Sequence, residues 1–256
     1  GSSGWDCAIL FYSATNVSFE NNILYNIPDE GAIMLRDCGD SRIVGNLIYN
    51  SRRGIVPYTT SSDTNYSNYI AFNTVVQCTT VGIFTGCKPS SPDTVKYNIS
   101  WSNGGTDFTR NAGTPVSDYN FYQLGGLGTW TVGVHTDSGY PDFVDTTNNN
   151  FRLNPTSPCV YFSDYTADSA TAHAVNIDLD ANTRPMPTGT YMDIGCFEEQ
   201  TAGPSPVVDS AKYYSNGTPG ITDDTLWVWF NVKLEYDSLP TSSGGADSLF
   251  NVLGLG

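Results

Sequence analysis

Four arginines, Arg36, Arg42, Arg52 and Arg53, form the only basic cluster in the sequence, and Asp37, Asp40, Asp63 and Asp93 stand in the polar stretches around them. Arginine or lysine can act as the base in eliminations on acidic polysaccharides, with Ca2+ masking the uronate charge, whereas paired carboxylates serve hydrolysis. Arg36 and Arg53 fall near the same part of two successive sequence repeats and so are expected to share a surface. With Arg52, Asp37 and Asp40 they make up the candidate catalytic set. No recognisable catalytic motif organises these residues, and the commoner meaning of such charges is a solvated, salt-bridging face. His135 and His173 are read as ordinary surface or turn residues.

The charge balance limits the partners. The chain has 256 residues, with 26 Asp and Glu against 11 Lys and Arg and a net charge of −15. No basic patch is available to neutralise phosphates, so nucleic acid is not an expected partner. A polyanionic substrate would be repelled unless calcium intervened. A surface of Ser, Thr, Asn, Gly and Asp suits an extracellular, cell-surface or virion setting, and such acidic surfaces can hold Ca2+. The six cysteines contain no CxxC pair, which gives a zinc or redox reading little support; disulfides and buried thiols both stay open. No apolar run reaches the ~18 residues of a membrane helix, so no membrane span is expected. The N-terminus carries no signal-peptide pattern, and "WDCAILFY" already reads as a strand, so the chain is expected to begin inside a larger protein.

The elements that position these residues come from a repeat. Asn22 opens "NILYN", Asn46 "NLIYN", Asn73 "NTVVQ" and Asn98 "NISWSN", at separations of 24, 27 and 25 residues. Each is preceded by a short alternating strand ("VSFEN", "RIVGN", "YIAFN", "VKYN"), and the first three are followed by glycine and an apolar residue ("GAIML", "GIVPY", "GIFTG"). Helical periodicity is absent, and β-branched and aromatic residues fill the apolar positions. Two or three short strands per period of about 25 residues predict a right-handed parallel β-helix, an all-β solenoid whose coils stack and share a core. Leucine-rich repeats of similar length would need a regular Leu pattern that this chain lacks.

An inward asparagine at a corner can satisfy backbone groups that leave the sheet, and it tolerates left-handed dihedrals. Stacked coil on coil, Asn22, Asn46, Asn73 and Asn98 are therefore expected to form a structural amide ladder. The variable corners "IPDEG", "RDCGDS", "PYTTSSDTNYSN" and "TGCKPSSPDT" mark the face where a groove function would lie.

After residue 105 the pattern changes to "YPDFVDTTNNNFRLNPTSPCV", then "VNIDLDANTRPMPTG" and "YMDIGCFEE". Residues 140–198 resemble the closing segment of secreted right-handed parallel β-helix repeat proteins of the choice-of-anchor Q type, and residues 5–198 resemble their architecture. The resemblance specifies fold more than activity, because that group includes polysaccharide lyases, epimerases, adhesins, virion spikes and proteins of unknown role. It implies that both closing motifs sit at one coil end, where Cys159 and Cys196 replace the commoner alanines and could form a disulfide. Arg184 is the natural partner there for Asp178, Asp180 or Asp193. Asp178 and Asp180, with Asn176 and Asn182, are also candidate Ca2+ ligands, although the spacing lacks the EF-hand glycine and terminal glutamate.

Three segments follow: residues 1–198 as the β-helix, 199–220 as a linker, and 221–256 as a β-hairpin. The hairpin, built on "LWVWFNVKLEY" and "DSLFNVLGLG", resembles the start of a concanavalin-like or laminin-G-like jelly roll. The chain therefore reads as a β-helix with a C-terminal strand extension or partial sandwich. The expected function is a non-catalytic structural or adhesion module with a polysaccharide or cell-surface glycan as partner and no obligatory cofactor. Further domains of the same chain, or further copies of it, would complete the assembly. The alternative is a polysaccharide lyase or glycoside hydrolase.

Overall fold

The computed structural model describes residues 7–59, 67–86, 90–164, 175–184, 191–200, 208–214 and 225–230. These residues contain strands and turns but no helix. The first coil is β1 (Cys7–Tyr12), β2 (Ser18–Glu20) and β3 (Ile23–Tyr25); the second is β4 (Gly31–Arg36), β5 (Arg42–Val44) and β6 (Leu47–Tyr49). The third is β7 (Arg53–Tyr58), β8 (Tyr69–Ala71) and β9 (Thr74–Val76); the fourth is β10 (Val81–Gly86), β11 (Thr94–Lys96) and β12 (Ile99–Trp101). The fifth coil is β13 (Thr106–Ala112), β14 (Val116–Asp118) and β15 (Phe121–Tyr122), and β16 (Asp137–Ser138) adds one strand beyond it.

Equivalent strands pair in parallel, giving three sheets in the orders β1-β4-β7-β10-β13, β14-β11-β8-β5-β2 and β16-β15-β12-β9-β6-β3. Strands β1–β16 form a parallel β-solenoid, with about four turns leading from the first coil to the fifth. Register aligns like with like. Ile9, Ile33, Ile55, Ile83 and Phe108 form one column, Phe19, Ile43, Ile70 and Val95 a second, and Leu24, Ile48 and Val75 a third. These columns meet in the interior core. Each fully buried aliphatic side chain contributes about 1.5–3 kcal/mol over its exposed state.

The asparagine ladder lies at the corner between the second and third sheets. The residue before each ladder position has positive φ: Asn21 55°, Gly45 69°, Phe72 54°, Tyr97 60° and Tyr119 50°. That left-handed step turns the chain and directs the next side chain inward. The Asn22 amide N–H donates to Asn46 Oδ1 (3.0 Å), Asn46 N–H to Asn73 Oδ1 (3.0 Å), and Asn73 N–H to Asn98 Oδ1 (3.0 Å). Each Nδ2 donates to the same oxygen of the next coil, at 3.0–3.2 Å. The ladder has a fifth member, Asn120, whose Oδ1 accepts Asn98 N–H and Nδ2, each at 3.0 Å. The Asn120 N–H then donates to Thr136 Oγ1 at 3.4 Å.

The resemblance implied that residues 140–198 close the coil end; those of them that the structure describes pack against the outer face of the third sheet. They include a hairpin of β17 (Phe143–Asp145) and β18 (Asn150–Leu153), and an antiparallel pair of β19 (Ser163–Asp164) and β20 (Tyr191–Met192). Both lie along the side of the solenoid. Phe143, Phe151, Met192, Ile194 and Phe197 share a second core with the outward residues Leu47, Val76, Ile99 and Phe121 of coils two to five. The outer face of the third sheet is apolar, so its burial requires a lateral cover.

Contacts divide the chain into two compact units, Gly1–Thr201 and Ala202–Gly256. In the second, β21 (Val208–Tyr214) pairs antiparallel with β22 (Thr225–Phe230). The expected strand "LWVWF" is thus present. Its partner comes from within the stretch read as a linker, while "DSLFNVLGLG" lies outside the described residues.

Replacing Asn73 with alanine should remove three donor interactions to Ile43 O, Ala71 O and Asn98 Oδ1 and strand the Asn46 donors in a dry core. The expected loss is about 3–5 kcal/mol, since each stranded buried group costs roughly 1–3 kcal/mol. Asn22→Ala, at the outermost coil, should cost about 1 kcal/mol, in the usual range for one net hydrogen bond. Urea unfolding followed by circular dichroism would measure both, and equal losses would contradict the ladder's buried core.

Candidate functional site

The arginines expected to share a surface are kept apart by strand register. Arg36 ends β4 opposite Tyr58, whereas Arg53 begins β7 opposite Val81. They are separated by about five residues along the strands, or roughly 17 Å at 3.3 Å per residue.

Each instead ties neighbouring coils together. Arg52 and Arg53 both bind Glu30, at Oε1 (3.0 Å) and Oε2 (3.1 Å) respectively. Arg42 Nε reaches Glu20 Oε1 at 2.9 Å, and its guanidinium lies over Tyr69. Arg36 covers the Tyr12 ring at 5.3 Å, with Asp37 Oδ2 at 3.9 Å. Asp37 and Asp40 are left-handed corner residues, both at φ 53°, and Asp37 Oδ1 accepts the Thr59 hydroxyl at 3.3 Å. Asp63 lies outside the described residues.

Asp93 occupies a different setting, at the end of a second polar column. Ser41 Oγ accepts Val17 N–H at 3.3 Å, Asn68 Oδ1 accepts Ser41 N–H at 3.4 Å, and Asp93 Oδ1 accepts both Asn68 N–H and Nδ2 at 3.0 Å. A third column ends in Asp107, whose Oδ1 accepts Asn103 N–H (3.1 Å) and Nδ2 (2.7 Å) and whose Oδ2 accepts Gln123 N–H (2.7 Å). Burial pushes both carboxyls up to about 6, against the lowering effect of these bonds. Asp93 Oδ2 has no hydrogen-bond partner among the described residues. Ser41, Asn68 and Asp93 follow the 27- and 25-residue spacing of the main ladder, which was the available sequence signal for them.

An aromatic column runs along the left-handed corner. Phe72 stacks on Tyr97 (4.7 Å between centroids), Tyr97 on Tyr119 (5.5 Å), and Tyr119 on His135 (4.5 Å, planes 8° apart). At the other end the Arg184 guanidinium lies 4.8 Å over Phe72. His135 is exposed, as expected for a turn residue, and its Nδ1 lies 2.9 Å from Asp118 Oδ2. Burial raises the Asp118 carboxyl, but hydrogen bonds from His135 and the Tyr119 amide outweigh this and hold it below its ordinary range. His173 lies outside the described residues.

The calcium candidates are engaged by protein donors. Asp178 Oδ1 accepts Asn182 N–H (2.7 Å), and Oδ2 accepts Asn182 Nδ2 (3.1 Å) and Glu198 N–H (2.9 Å). Asp180 forms a two-pronged pair with Arg152, both contacts at 2.7 Å. Asn176 contributes its carbonyl to the Arg184 amide. Among the described residues, no group of three or more His, Cys, Asp and Glu is arranged to hold a metal ion.

Arg184 ion-pairs with Glu198 (3.2 Å), rather than with Asp178, Asp180 or Asp193, and also donates to the Asp193 and Gly195 carbonyls. The Asp193 carboxyl is raised by burial, partly offset by the Glu199 and Tyr161 amides and by Arg184. Cys159 and Cys196 are free, buried thiols, so the implied disulfide is not formed. Backbone pairing sets Cys159 opposite Ile194, while the Cys196 amide is directed to Thr74 Oγ1. Burial pushes the Cys196 thiol up to about 12.

The chain matches no protein-family model, no curated protein and no solved structure in the comparisons made.

The buried aspartates predict an inverted pH dependence. With folded pKa values near 6 for Asp93 and Asp107 against an ordinary 3.8, the folded state binds more protons between about pH 4 and 6. Their contribution to stability is full below pH 4 and is lost as pH rises through 6. Urea midpoints should therefore fall from pH 4.5 to 7, and Asp93→Asn should flatten that slope. An unchanged slope in Asp93→Asn would remove Asp93 as its source.

Proposed function

We propose that this chain is a non-catalytic β-helical module, a rigid stalk that displays its second unit at an extracellular, cell or virion surface and engages glycans there. The observation that carries this reading is the use of its charged side chains between coils. Arg42 is committed to Glu20, Arg52 and Arg53 are committed to Glu30, and the inward polar columns run through successive coils. Such a rod gains stiffness from repeated nearest-neighbour contacts. The net charge of −15 favours neutral glycans over uronates. Tyr12, Tyr25 and Tyr140 are each more than half exposed and supply amphipathic contact surface. The lectin-like resemblance of the second unit agrees with this role, and Ca2+ is not required by it.

A panel of immobilised neutral and uronate glycans tests the proposal. Retention on neutral glycans should occur with and without Ca2+, and uronate polysaccharides should yield no unsaturated product. Steady release of unsaturated product by the intact chain, abolished in Arg53→Ala, would replace the structural reading with a lyase.

A further inference from the structure

The fifth coil is not followed by a sixth of the same kind. Residues 123–139, "QLGGLGTWTVGVHTDSG", cross it as a strap that meets all three sheets in turn. At β13 the Gly126 carbonyl accepts the Asp107 and Phe108 N–H groups, at 2.6 and 3.3 Å, and the Gly128 N–H donates to Phe108 O at 2.9 Å. At the second sheet, Trp130 Nε1 donates to Ser117 Oγ at 3.1 Å. At the third, the Asp137 and Gly139 N–H groups donate to the Asn120 and Tyr122 carbonyls, at 3.0 and 2.9 Å, as β16 pairs with β15.

Between these contacts the strap closes the interior. Ser117 continues the inward column of Ile43, Ile70 and Val95, and beside it the buried Trp130 ring lies 5.2 Å from the Phe108 ring in the main core. Two corners are clasped by aspartates. Asp107 Oδ2 accepts the Gln123 N–H, and Asp118 holds both the amide and the ring of His135, which stacks on Tyr119. The glycines follow from how closely the strap lies. A Cβ on Gly126 would overlap the Asp107 carboxylate, and one on Gly133 would overlap the Ser117 carbonyl.

We propose that residues 123–139 are a terminating cap, a built-in block to strand addition at this end of the solenoid. The last strand of a sheet presents unpaired N–H and C=O groups that recruit another strand. The strap takes up such groups of both β13 and β15, plugs the core with Trp130, and offers on its own outer side only the two residues of β16 as strand. A further coil, whatever molecule supplies it, therefore has no complete set of sheets to continue, which is the role of capping units in repeat proteins. This role is independent of whether the molecule binds glycans.

Amide hydrogen exchange and sedimentation velocity on the whole chain test the proposal with two variants. Gly133→Val sets a branched side chain against the Ser117 carbonyl and should lift the strap. Exchange at Gly128, Asp137 and Gly139 should then rise by about tenfold or more, while β4 to β10 stay protected. His135→Ala removes only the outer clasp, at an exposed residue, and should raise exchange at Asp137 and Gly139 but not at Gly128. If Gly133→Val loses protection throughout, it has unfolded, and the reading is taken from His135→Ala. A lifted strap should also raise the weight-average mass above that of the unaltered chain at equal concentration. Strap amides that exchange in the unaltered chain as fast as a free peptide overturn the proposal. So do unchanged exchange in both variants, and a lifted strap without a gain in mass.

Discussion

The solenoid depends on the hydrogen bond from one inward asparagine to the next. At the corner before Asn46, Asn73 and Asn98 the chain leaves one sheet for another within two residues, and its amide N–H groups point into a dry interior. Water cannot reach them, so a side chain must. Asparagine suits the position because one oxygen can receive both the amide and the Nδ2 proton of the preceding coil. Its own Nδ2 also reaches carbonyls in two coils: Asn73 donates to Ala71 O in its own coil and to Ile43 O in the one before. Aspartate supplies the oxygen without the donor, and alanine supplies neither.

This constraint explains where the sequence varies. Coils may differ in length, with spacings of 24, 27, 25 and 22 residues, provided the extra residues enter elsewhere and the Asn corner keeps its place. The other two corners obey the rule less strictly. One column runs Ser41, Asn68 and Asp93, and the other Ser51, Cys78, Asn103 and Asp107, so that Asp93 and Asp107 take over as acceptors for the last Asn amides. Each carboxylate is the last member of its polar column and has no further column member to donate to, so losing the donor costs little. The remaining cost is desolvation of its charge, which is why both carboxyls are pushed toward neutrality.

The repeat was legible because a period-two strand followed by a fixed polar residue survives in the sequence wherever a ladder must be built. Asn120 follows the same logic in "DYNFY" but at a shorter spacing of 22 residues, so it lies beyond the last clear repeat. The arginines could not be placed from spacing alone. Arg36 and Arg53 belong to opposite ends of their strands, a difference set by register, and the partner of Arg52 and Arg53, Glu30, lies in the preceding corner. Where the described part of residues 140–198 packs was not legible from its motifs. End caps and side covers both bury apolar surface, and only the outward pattern of Leu47, Val76, Ile99 and Phe121 distinguishes them.

That outward pattern also accounts for the unusual corner residues. Phe72, Tyr97 and Tyr119 adopt left-handed dihedrals, which cost an L-residue about 1–2 kcal/mol each. Glycine would avoid that cost, as it does at Gly45, but would leave nothing to pack beneath the cover. The rings recover the cost by stacking coil on coil and by taking Arg184 onto the Phe72 face, where the guanidinium is buried against Glu198. Arg184 therefore has two roles. It anchors the covering segment through the Asp193 and Gly195 carbonyls, and it caps the aromatic column that the cover protects. The inner ladder and the outer cover are thus joined at one corner, with adjacent residues facing opposite ways: Phe72 outward to the seam and Asn73 inward to the core.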